Sequence, residues 1–421
     1  LPPPASRRFV FGAGFWLESP IWFATPTEDS RSMPYSNAIR TLLAPLLALA
    51  LSAMAWTVAR AQTIPPPPQV PVRAYVLMDQ QSGNLLANAK GDERMEPASI
   101  TKLMTGYVIY KALKSGKIRL DDKVTISEKA WKTTGSKMFV KLGTQVSVDD
   151  LLMGMVVQSG NDATVALAEH VAGSEETFAK LMNQEAERLG LKNSHFTNAP
   201  GLPDANHYMS ARDIAALARA LIQDFPEHYA RYSVRSFKYN NIEQQNRNRL
   251  LLTDSSVDGV KTGHTESAGY CLVSSARRND TRLISVVLGA DKERDRFQAS
   301  QALLNYGFSF FESRKLYDAN TPIVTARIWK GQENELPLGV THALYVTVPK
   351  GQAPQVSTTT TVQPKIVAPA QKDQPFGDIV VKLGDQEVSK TSLVALQEVP
   401  ESGWFGRMID SILMFFYFLF N

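Results

Sequence analysis

The chain has 421 residues, 44% of them hydrophobic, and a formal net charge of +4 at pH 7. This length predicts two or three compact units. So small a charge, without a basic stretch interleaved with aromatic residues, excludes nucleic acid as a partner. The single cysteine, Cys271, excludes an internal disulfide, and the six histidines are scattered, so the sequence predicts no metal site.

The N-terminal part of the chain is predicted to be removed on export. Residues 1–32 resemble neither a structural element nor a targeting signal, so we interpret them as an upstream extension and Met33 as the start. A basic residue, an apolar run and an A-x-A sequence at 59–61 then form an export signal, with cleavage before Gln62. The apolar run is shorter than the roughly 20 residues of a membrane-spanning helix. Residues 1–61 are therefore not expected in the mature protein.

Residues 62–321 are predicted to form one α+β domain with strands at both sequence ends and helices between them. A hairpin comes first, and hydrophobic periodicity then predicts helices and strands in turn. The predicted helices are 97–114, 148–157, 163–171, 175–189, 210–221 and 293–306. Three strands are predicted in the later part of the domain: one that carries Lys261, a second at 270–276 and a third at 282–289. Such a pattern predicts a cleft where the sheet and the helices meet.

Ser99 and Lys102 form the main candidate for chemistry. Pro97 precedes a run with helical apolar spacing, which predicts a helix with Ser99 in its first turn. Lys102 then lies on the same face, within hydrogen-bond reach of the hydroxyl. The positive end of the helix disfavours the ammonium form of Lys102, as a nucleophile with its own base requires. Such a pair is more often a helix cap and a solvated charge, so it does not identify an active site alone.

Two further motifs follow. Ser159-Gly160-Asn161 lies on a loop between two predicted helices, where short polar side chains can project into a cleft. Lys261-Thr262-Gly263 lies on a predicted strand. Ser82-Gly83-Asn84 also matches S-x-N, but its Gly-Asn pair sits between two extended runs and is typical of a hairpin turn, so we interpret it as structural.

The chain changes character after residue 321. Residues 322–398 contain only short β-rich runs separated by Gly and Pro, with no polar constellation, which predicts a small all-β domain serving as a spacer or contact surface. Residues 399–421 end in an apolar, phenylalanine-rich run that is too short to span a bilayer. We expect an amphipathic helix lying in the membrane interface, the alternative being a helix docked on the β domain.

The ordered S-x-x-K, S-x-N and K-T-G motifs and the residues around them resemble the penicillin-binding proteins, in particular the low-molecular-mass D-alanyl-D-alanine carboxypeptidases of the type-five group. The resemblance covers nearly all of the mature chain. It implies the serine penicillin-recognising, β-lactamase-like transpeptidase fold with a C-terminal all-β domain and an amphipathic C-terminal helix. It also implies a periplasmic enzyme without metal or organic cofactor, peripheral on the outer face of the cytoplasmic membrane.

The resemblance further implies what each site residue does. Ser99 would attack the carbonyl between the two terminal D-alanines of a peptidoglycan stem peptide, with Lys102 as general base and Ser159 as proton relay. β-Lactams would acylate the same serine and inhibit the enzyme. The implied substrate-binding residues, which hold the substrate amide, line the oxyanion hole or attract the terminal carboxylate, are Asn161, Lys261, Thr262, Gly263, His264, Thr265 and Arg296. For Arg296, a surface ion pair with Glu293 or Asp295 is an equally good interpretation.

Three alternatives stay open at this point. A class A β-lactamase shares two of the motifs, but no clear equivalent of its acidic deacylation base follows Asn161. A D,D-endopeptidase would carry the same motifs. A membrane-tethered wall-binding protein with a vestigial site would need none of the intact residues. His264, the only histidine beside a motif, competes with Lys102 as the base.

Overall fold

A computed structural model describes residues 64–420. The predictions for residues 1–61, namely the upstream extension and the export signal, lie outside the described residues. Among the described residues, the first domain contains two 3-10 turns, Ala98–Thr101 and Ala230–Ser233, and nine α-helices. The helices are α1 (Lys102–Lys114), α2 (Glu128–Lys132), α3 (Val148–Val157), α4 (Asn161–Ala172), α5 (Glu175–Arg188), α6 (Ala211–Asp224), α7 (Pro226–Tyr229), α8 (Leu250–Thr253) and α9 (Glu293–Phe310).

The strands of this domain form one main sheet and two small two-stranded sheets. They are β1 (Ala74–Asp79), β2 (Leu85–Ala89), β3 (Lys123–Thr125), β4 (Gln145–Ser147), β5 (Ser236–Tyr239), β6 (Ile242–Gln245), β7 (Val257–Thr265), β8 (Gly269–Arg278) and β9 (Thr281–Ala290). The main sheet is antiparallel, with the order β2-β1-β9-β8-β7. β7, which carries the K-T-G motif, is therefore an edge strand with one free side.

Helices cover both faces of the main sheet. Because side chains alternate along a strand, Val76 and Met78 of β1 pack into the helical core while Leu77 packs with residues of α9 on the other face. α1 is buried almost all round and contacts α4, α5 and α6, as expected of a helix at the centre of a core. Its N-terminus carries Lys102, so the first motif is held by the most buried helix of the domain.

Of the two helices that flank the S-x-N motif, one matches the prediction and the other begins earlier. α3 ends at Val157 as predicted, and Ser147 caps it by accepting a hydrogen bond from the backbone N–H of Asp150. α4 begins at Asn161, earlier than the predicted residue 163. Only Ser159 and Gly160 of the motif therefore lie in the loop, and Asn161 occupies the first helical turn.

The second domain is all-β and begins earlier than residue 322. Its strands are β10 (Phe311–Tyr317), β11 (Val324–Trp329), β12 (Glu335–Gly339), β13 (Leu344–Pro349), β14 (Val356–Val362), β15 (Ile366–Val367), β16 (Pro375–Leu383) and β17 (Gln386–Ala395). Six form a sheet of order β14-β16-β17-β12-β11-β15, and β10 pairs with β13. The domain boundary therefore lies at Phe311. Because β10 follows α9 without a linker, no change of composition marks this boundary.

The hairpin turn at Ser82-Gly83-Asn84 joins the two domains. The buried carboxylate of Asp79 accepts hydrogen bonds from the hydroxyls of Ser82 and, in the second domain, Ser313. The Ser82 hydroxyl also lies 2.6 Å from that of Thr347. This second S-x-N match is thus structural, as predicted, and its serine is used in the domain junction.

The last described element is helix α10 (Trp404–Phe420), which buries none of its residues. It touches the β domain at few points. The Asp410 carboxylate accepts a hydrogen bond of 2.5 Å from the backbone N–H of Lys330, and the Tyr417 and Phe418 rings lie 5.6 and 6.4 Å from that of Trp329. No helix of residues 64–420 is long and apolar enough to cross a membrane.

Candidate active site

The first motif is assembled at the junction of the 3-10 turn Ala98–Thr101 and α1. Lys102 is 1% exposed, and its Nζ lies 2.9 Å from Ser99 Oγ, 2.7 Å from Asn161 Oδ1 and 2.8 Å from the backbone oxygen of Pro200. A neutral amine has two N–H groups and one lone pair. The two carbonyl oxygens accept the N–H groups, which leaves the lone pair for the Ser99 hydroxyl.

The surroundings of Lys102 lower its pKa to about 7, mainly through burial and next through the charge of Arg247, while Asp162 acts in the opposite direction. The direction agrees with the sequence prediction, but the cause differs. The sequence led us to expect that the positive end of the helix would lower this pKa. Arg247 supplies the positive charge instead, and desolvation is complete enough to be the largest effect.

Ser159 and Lys261 form a second hydrogen-bonded pair. Ser159 is 2% exposed and adopts a left-handed conformation with φ of 63°, which is unusual for a non-glycine residue and is typical of functional sites. Lys261 Nζ donates to Ser159 Oγ over 2.9 Å. Burial lowers the Lys261 pKa well below its ordinary value, and the Lys102 charge adds to this effect. The charge of Lys102 thus disfavours the ammonium form of Lys261.

A buried carboxylate positions the S-x-N motif. Asp162 is 1% exposed and accepts hydrogen bonds of 2.8, 2.9 and 3.2 Å from three successive backbone N–H groups, those of residues 138–140. The same segment contacts Asn161, whose backbone N–H donates to Ser136 O and whose side-chain Nδ2 donates to Thr134 O. Segment 134–140 therefore holds the amide that contacts Lys102.

Strand β7 lies against the turn that carries Ser99. A Cβ on Gly263 would lie 2.9 Å from the backbone oxygen of Pro97 and 3.1 Å from Ile100, so only glycine permits this approach. In the free protein, Gly263 therefore permits close packing of β7 against the turn that carries Ser99. His264 is exposed and stacks on Tyr270 with ring centroids 4.0 Å apart.

Thr265 also differs from the expectation. Its hydroxyl donates to Glu96 Oε1 over 2.7 Å and accepts from the backbone N–H of Ala268. Glu96 precedes the Ser99 turn and accepts from the Ser267 hydroxyl as well. The Thr265 hydroxyl therefore ties the end of β7 to the segment before Ser99, and its proton is not available for a substrate carboxylate in the free protein.

These residues surround a cleft of about 240 Å³. It is lined by Ser99, Ser136, Ser159, Arg247, Thr262, Gly263, His264, Tyr270, Glu293 and Arg296. Arg296 is only 4% exposed and donates to Glu293 over 2.9 Å and to the backbone oxygen of Gly263 over 3.3 Å. The ion pair with Glu293 is therefore present, but it is made by a buried arginine that also lines the cleft.

The structure brings together all ten residues that the sequence selected. Four of them lie behind the cleft wall rather than on its surface, namely Lys102, Asn161, Lys261 and Thr265. Sequence reasoning missed Arg247, Ser136, Asp162 and the backbone oxygen of Pro200. Arg247, Ser136 and Pro200 carry no local signal, because each reaches the site from a chain segment outside the motifs. Asp162 differs, because it directly follows Asn161 and its position beside the S-x-N motif was an available signal. Within residues 64–420, no group of three or more His, Cys, Asp or Glu side chains is arranged to hold a metal ion.

Comparisons with known proteins agree with this geometry. The sequence matches the D-alanyl-D-alanine carboxypeptidase family over residues 61–292 and the C-terminal domain of penicillin-binding protein 5 over residues 311–401. D-alanyl-D-alanine carboxypeptidase DacC from Escherichia coli strain K12 is 44% identical over 391 residues, which cover 91% of this chain and 97% of that protein.

Solved structures give the same result. Penicillin-binding protein 5 from Haemophilus influenzae matches with a TM-score of 0.74 and 44% identity. The match covers 80% of this chain and 100% of the chain in that structure. Penicillin-binding protein D2 from Listeria monocytogenes in its ampicillin-bound form has a TM-score of 0.54 and 28% identity, covering 58% of this chain. The predicted family and fold are confirmed: the chain belongs to the D-alanyl-D-alanine carboxypeptidase family and is a low-molecular-mass penicillin-binding protein of the type-five group.

Proposed function

We propose that the chain removes the terminal D-alanine from peptidoglycan stem peptides through an acyl-enzyme on Ser99. The observation that carries this proposal is the 2.9 Å contact between Ser99 Oγ and a buried lysine amine whose pKa is lowered to about 7. A serine is a weak nucleophile at its own pKa and needs an adjacent base. Lys102 meets the geometric requirement for that base and, near neutral pH, the protonation requirement.

Acylation then proceeds in a defined order. Lys102 Nζ takes the hydroxyl proton while Ser99 Oγ bonds to the carbonyl carbon between the two terminal D-alanines. The backbone N–H groups of Ser99 and His264 are the proposed oxyanion donors, so that His264 acts through its main chain. The proton passes through Ser159 to the departing D-alanine amine. Water activated by Lys102 then releases the shortened peptide and restores Ser99.

The far end of the cleft is proposed to bind the substrate's terminal carboxylate. Arg247 and Arg296 are cationic groups that line the cleft wall, and Lys261 is close enough that both charges add to the effect of burial and lower its pKa. Thr262 also lines the cleft, and its hydroxyl would donate a hydrogen bond to this carboxylate. Asn161 would hold the substrate amide, and the free edge of β7 would pair with the extended peptide. β-Lactams would acylate Ser99 in the same pocket.

A peptide assay tests this activity. Purified residues 62–421, mixed with a stem-like peptide ending in D-Ala-D-Ala, should release one free D-alanine per peptide, and prior treatment with penicillin should abolish the release. A matched peptide ending in D-Ala-L-Ala is the stereochemical control. Cleavage of cross-linked peptide dimers without release of terminal D-alanine would instead identify a D,D-endopeptidase, and no cleavage of either would identify a binding protein.

We also propose a periplasmic location, with the protein held at the outer face of the cytoplasmic membrane by α10. The support is the exposure of its bulky apolar side chains, from 42% at Met408 to 78% at Phe420. An apolar helix of 17 residues that buries nothing in the protein can lower its free energy by lying in a membrane interface.

Deleting residues 402–421 should release the protein from membranes and leave the hydrolysis of soluble peptide nearly unchanged, because α10 carries no residue of the cleft. The measurement is the partition of full-length and truncated protein between membrane pellet and supernatant, with peptide activity assayed in both. Continued membrane association of the truncated protein would contradict the anchor, and a large loss of peptide activity would mean that α10 supports the folded domains.

A further inference from the structure

Glu293 is the only carboxylate among the residues that line the active-site cleft. It is the first residue of α9, and its two oxygens face two different arginines. Oε1 lies 2.9 Å from Arg296 Nη2, and Oε2 lies 3.5 Å from Arg249 Nη2. Glu293 therefore bridges an arginine of the cleft wall and an arginine outside the cleft.

The two arginines differ sharply in exposure. The Arg296 side chain is 5% exposed, whereas that of Arg249 is 68% exposed. Arg296 Nε is buried and has no hydrogen-bond partner, so its guanidinium is only partly satisfied by Glu293 and Gly263 O. A second carboxylate entering the cleft would offer this buried cation a better set of acceptors.

Glu293 also has room to move. A groove of about 520 Å³ adjoins the cleft, and Arg247, Glu293 and Arg296 line both spaces, while Arg249 lines only the groove. The Glu293 side chain is 42% exposed. A small rotation about its own bonds would take the carboxylate from the cleft side to the groove side without moving the backbone.

We propose that Glu293 is a specificity-determining residue: its carboxylate occupies Arg296 in the free enzyme, and the terminal carboxylate of the substrate displaces it onto Arg249. The proposal rests on the proposed function, which places that terminal carboxylate at the cationic end of the cleft. A ligand without a carboxylate cannot replace Glu293 on Arg296. Glu293 thus weakens the binding of every carboxylate ligand while leaving ligands without a carboxylate unaffected.

Glu293→Gln separates competition from support. If Glu293 competes with the substrate, the variant should lower KM for a D-Ala-D-Ala peptide by roughly two- to fivefold, the range expected for one partly exposed ion pair, with kcat close to the parent value. KM for the same peptide with a C-terminal amide should not change. Should KM of the acid peptide rise instead, Glu293 holds Arg296 in place and the proposal is wrong.

Arg249→Ala provides the opposite change. Without Arg249, the displaced Glu293 has no second partner, so KM of the acid peptide should rise. The same substitution in the Glu293→Gln background should have little effect, because no carboxylate then needs a new partner. Equal effects of Arg249→Ala in both backgrounds would show that the two charges act independently through space, which would overturn the displacement.

Asp295→Asn is the matched control. Asp295 lies in the same helical turn, carries the same charge and pairs with Arg294 over 3.1 Å rather than with Arg296. Asp295→Asn should leave the KM of the acid peptide unchanged within experimental error. A decrease in KM equal to that of Glu293→Gln would show that the loss of one negative charge, and not the position of Glu293, causes the effect, which would overturn the proposal. Failure of the proposed function would be seen separately, because the parent enzyme would then release no D-alanine from the acid peptide.

Discussion

The Ser99→Ala variant is expected to lose all covalent labelling by a fluorescent penicillin and to hydrolyse a D-Ala-D-Ala peptide more than about 1000-fold slower than the parent. The serine oxygen is the atom that forms the acyl bond. Among the hydrogen-bond partners of Lys102 Nζ, namely Ser99, Asn161 and the backbone oxygen of Pro200, Ser99 alone contributes a hydroxyl. Labelling on gels and mass spectrometry of the peptide adduct measure the effect.

Ser82→Ala is the matched control for this variant. Ser82 opens the other S-x-N sequence, but its hydroxyl contacts Thr347 at the domain junction. The variant should therefore be labelled at Ser99 like the parent. An adduct on any residue other than Ser99, or equal labelling after Ser99→Ala, would remove Ser99 from the proposed mechanism. Ser159→Ala should instead retain the nucleophile and slow acylation through loss of the proton relay.

The parts of the site that depend on local spacing could be predicted from the sequence. Ser99 and Lys102 are three residues apart on a helical turn, so their contact follows from helix geometry. The meeting of Lys261 with Ser159 is different, because the two residues are 102 positions apart. The resemblance to a known family placed both residues in one site, but no physical property of either segment predicted that they touch.

Arg247 and Pro200, which the sequence did not select, also reach the site from distant parts of the chain. Arg247 enters the cleft from the segment after the β5–β6 hairpin, and Pro200 contributes a backbone oxygen from a loop with no motif. The sequence also did not show that Glu96, 169 residues away, accepts the hydroxyl proton of Thr265 in the free protein. Hydrogen-bond competition of this kind requires the tertiary structure, since the sequence shows which groups are available but not which of them meet.

The domain boundary shows a related limit. The composition changes after residue 321, but β10 is already part of the second domain because it pairs with β13. Which strand β10 pairs with depends on its partner strand, which lies elsewhere in the sequence. β10 has only seven residues, so its alternation of apolar and polar residues is too short to distinguish it from the end of the long helix before it. The helix and strand types within the first domain were predicted well, because their apolar periods are longer.

The Lys102→Arg variant is expected to fold and to acylate at least about 100-fold slower than the parent at neutral pH, the usual effect of losing a general base. Arginine keeps the charge and the donors, but it cannot be deprotonated in this pH range. In the parent, Lys102 acts as a base only without its proton. With its pKa lowered to about 7, acylation should be slow well below pH 7, rise through pH 7 and level off above it. The measurement is the acylation rate of a chromogenic β-lactam against pH.

His264→Ala separates the two candidate bases. The His264 side chain is exposed and stacks on Tyr270, and it makes no hydrogen bond with Ser99 in the described structure. This variant should keep the rise of the rate through pH 7, with a moderate change in rate at most. Arg247→Ala tests the cause of the rise: since Arg247 lowers the Lys102 pKa, its removal should move the rise to higher pH. If Lys102→Arg acylates near the parent rate while His264→Ala loses the pH-dependent rise, histidine is the base and the lysine assignment is wrong.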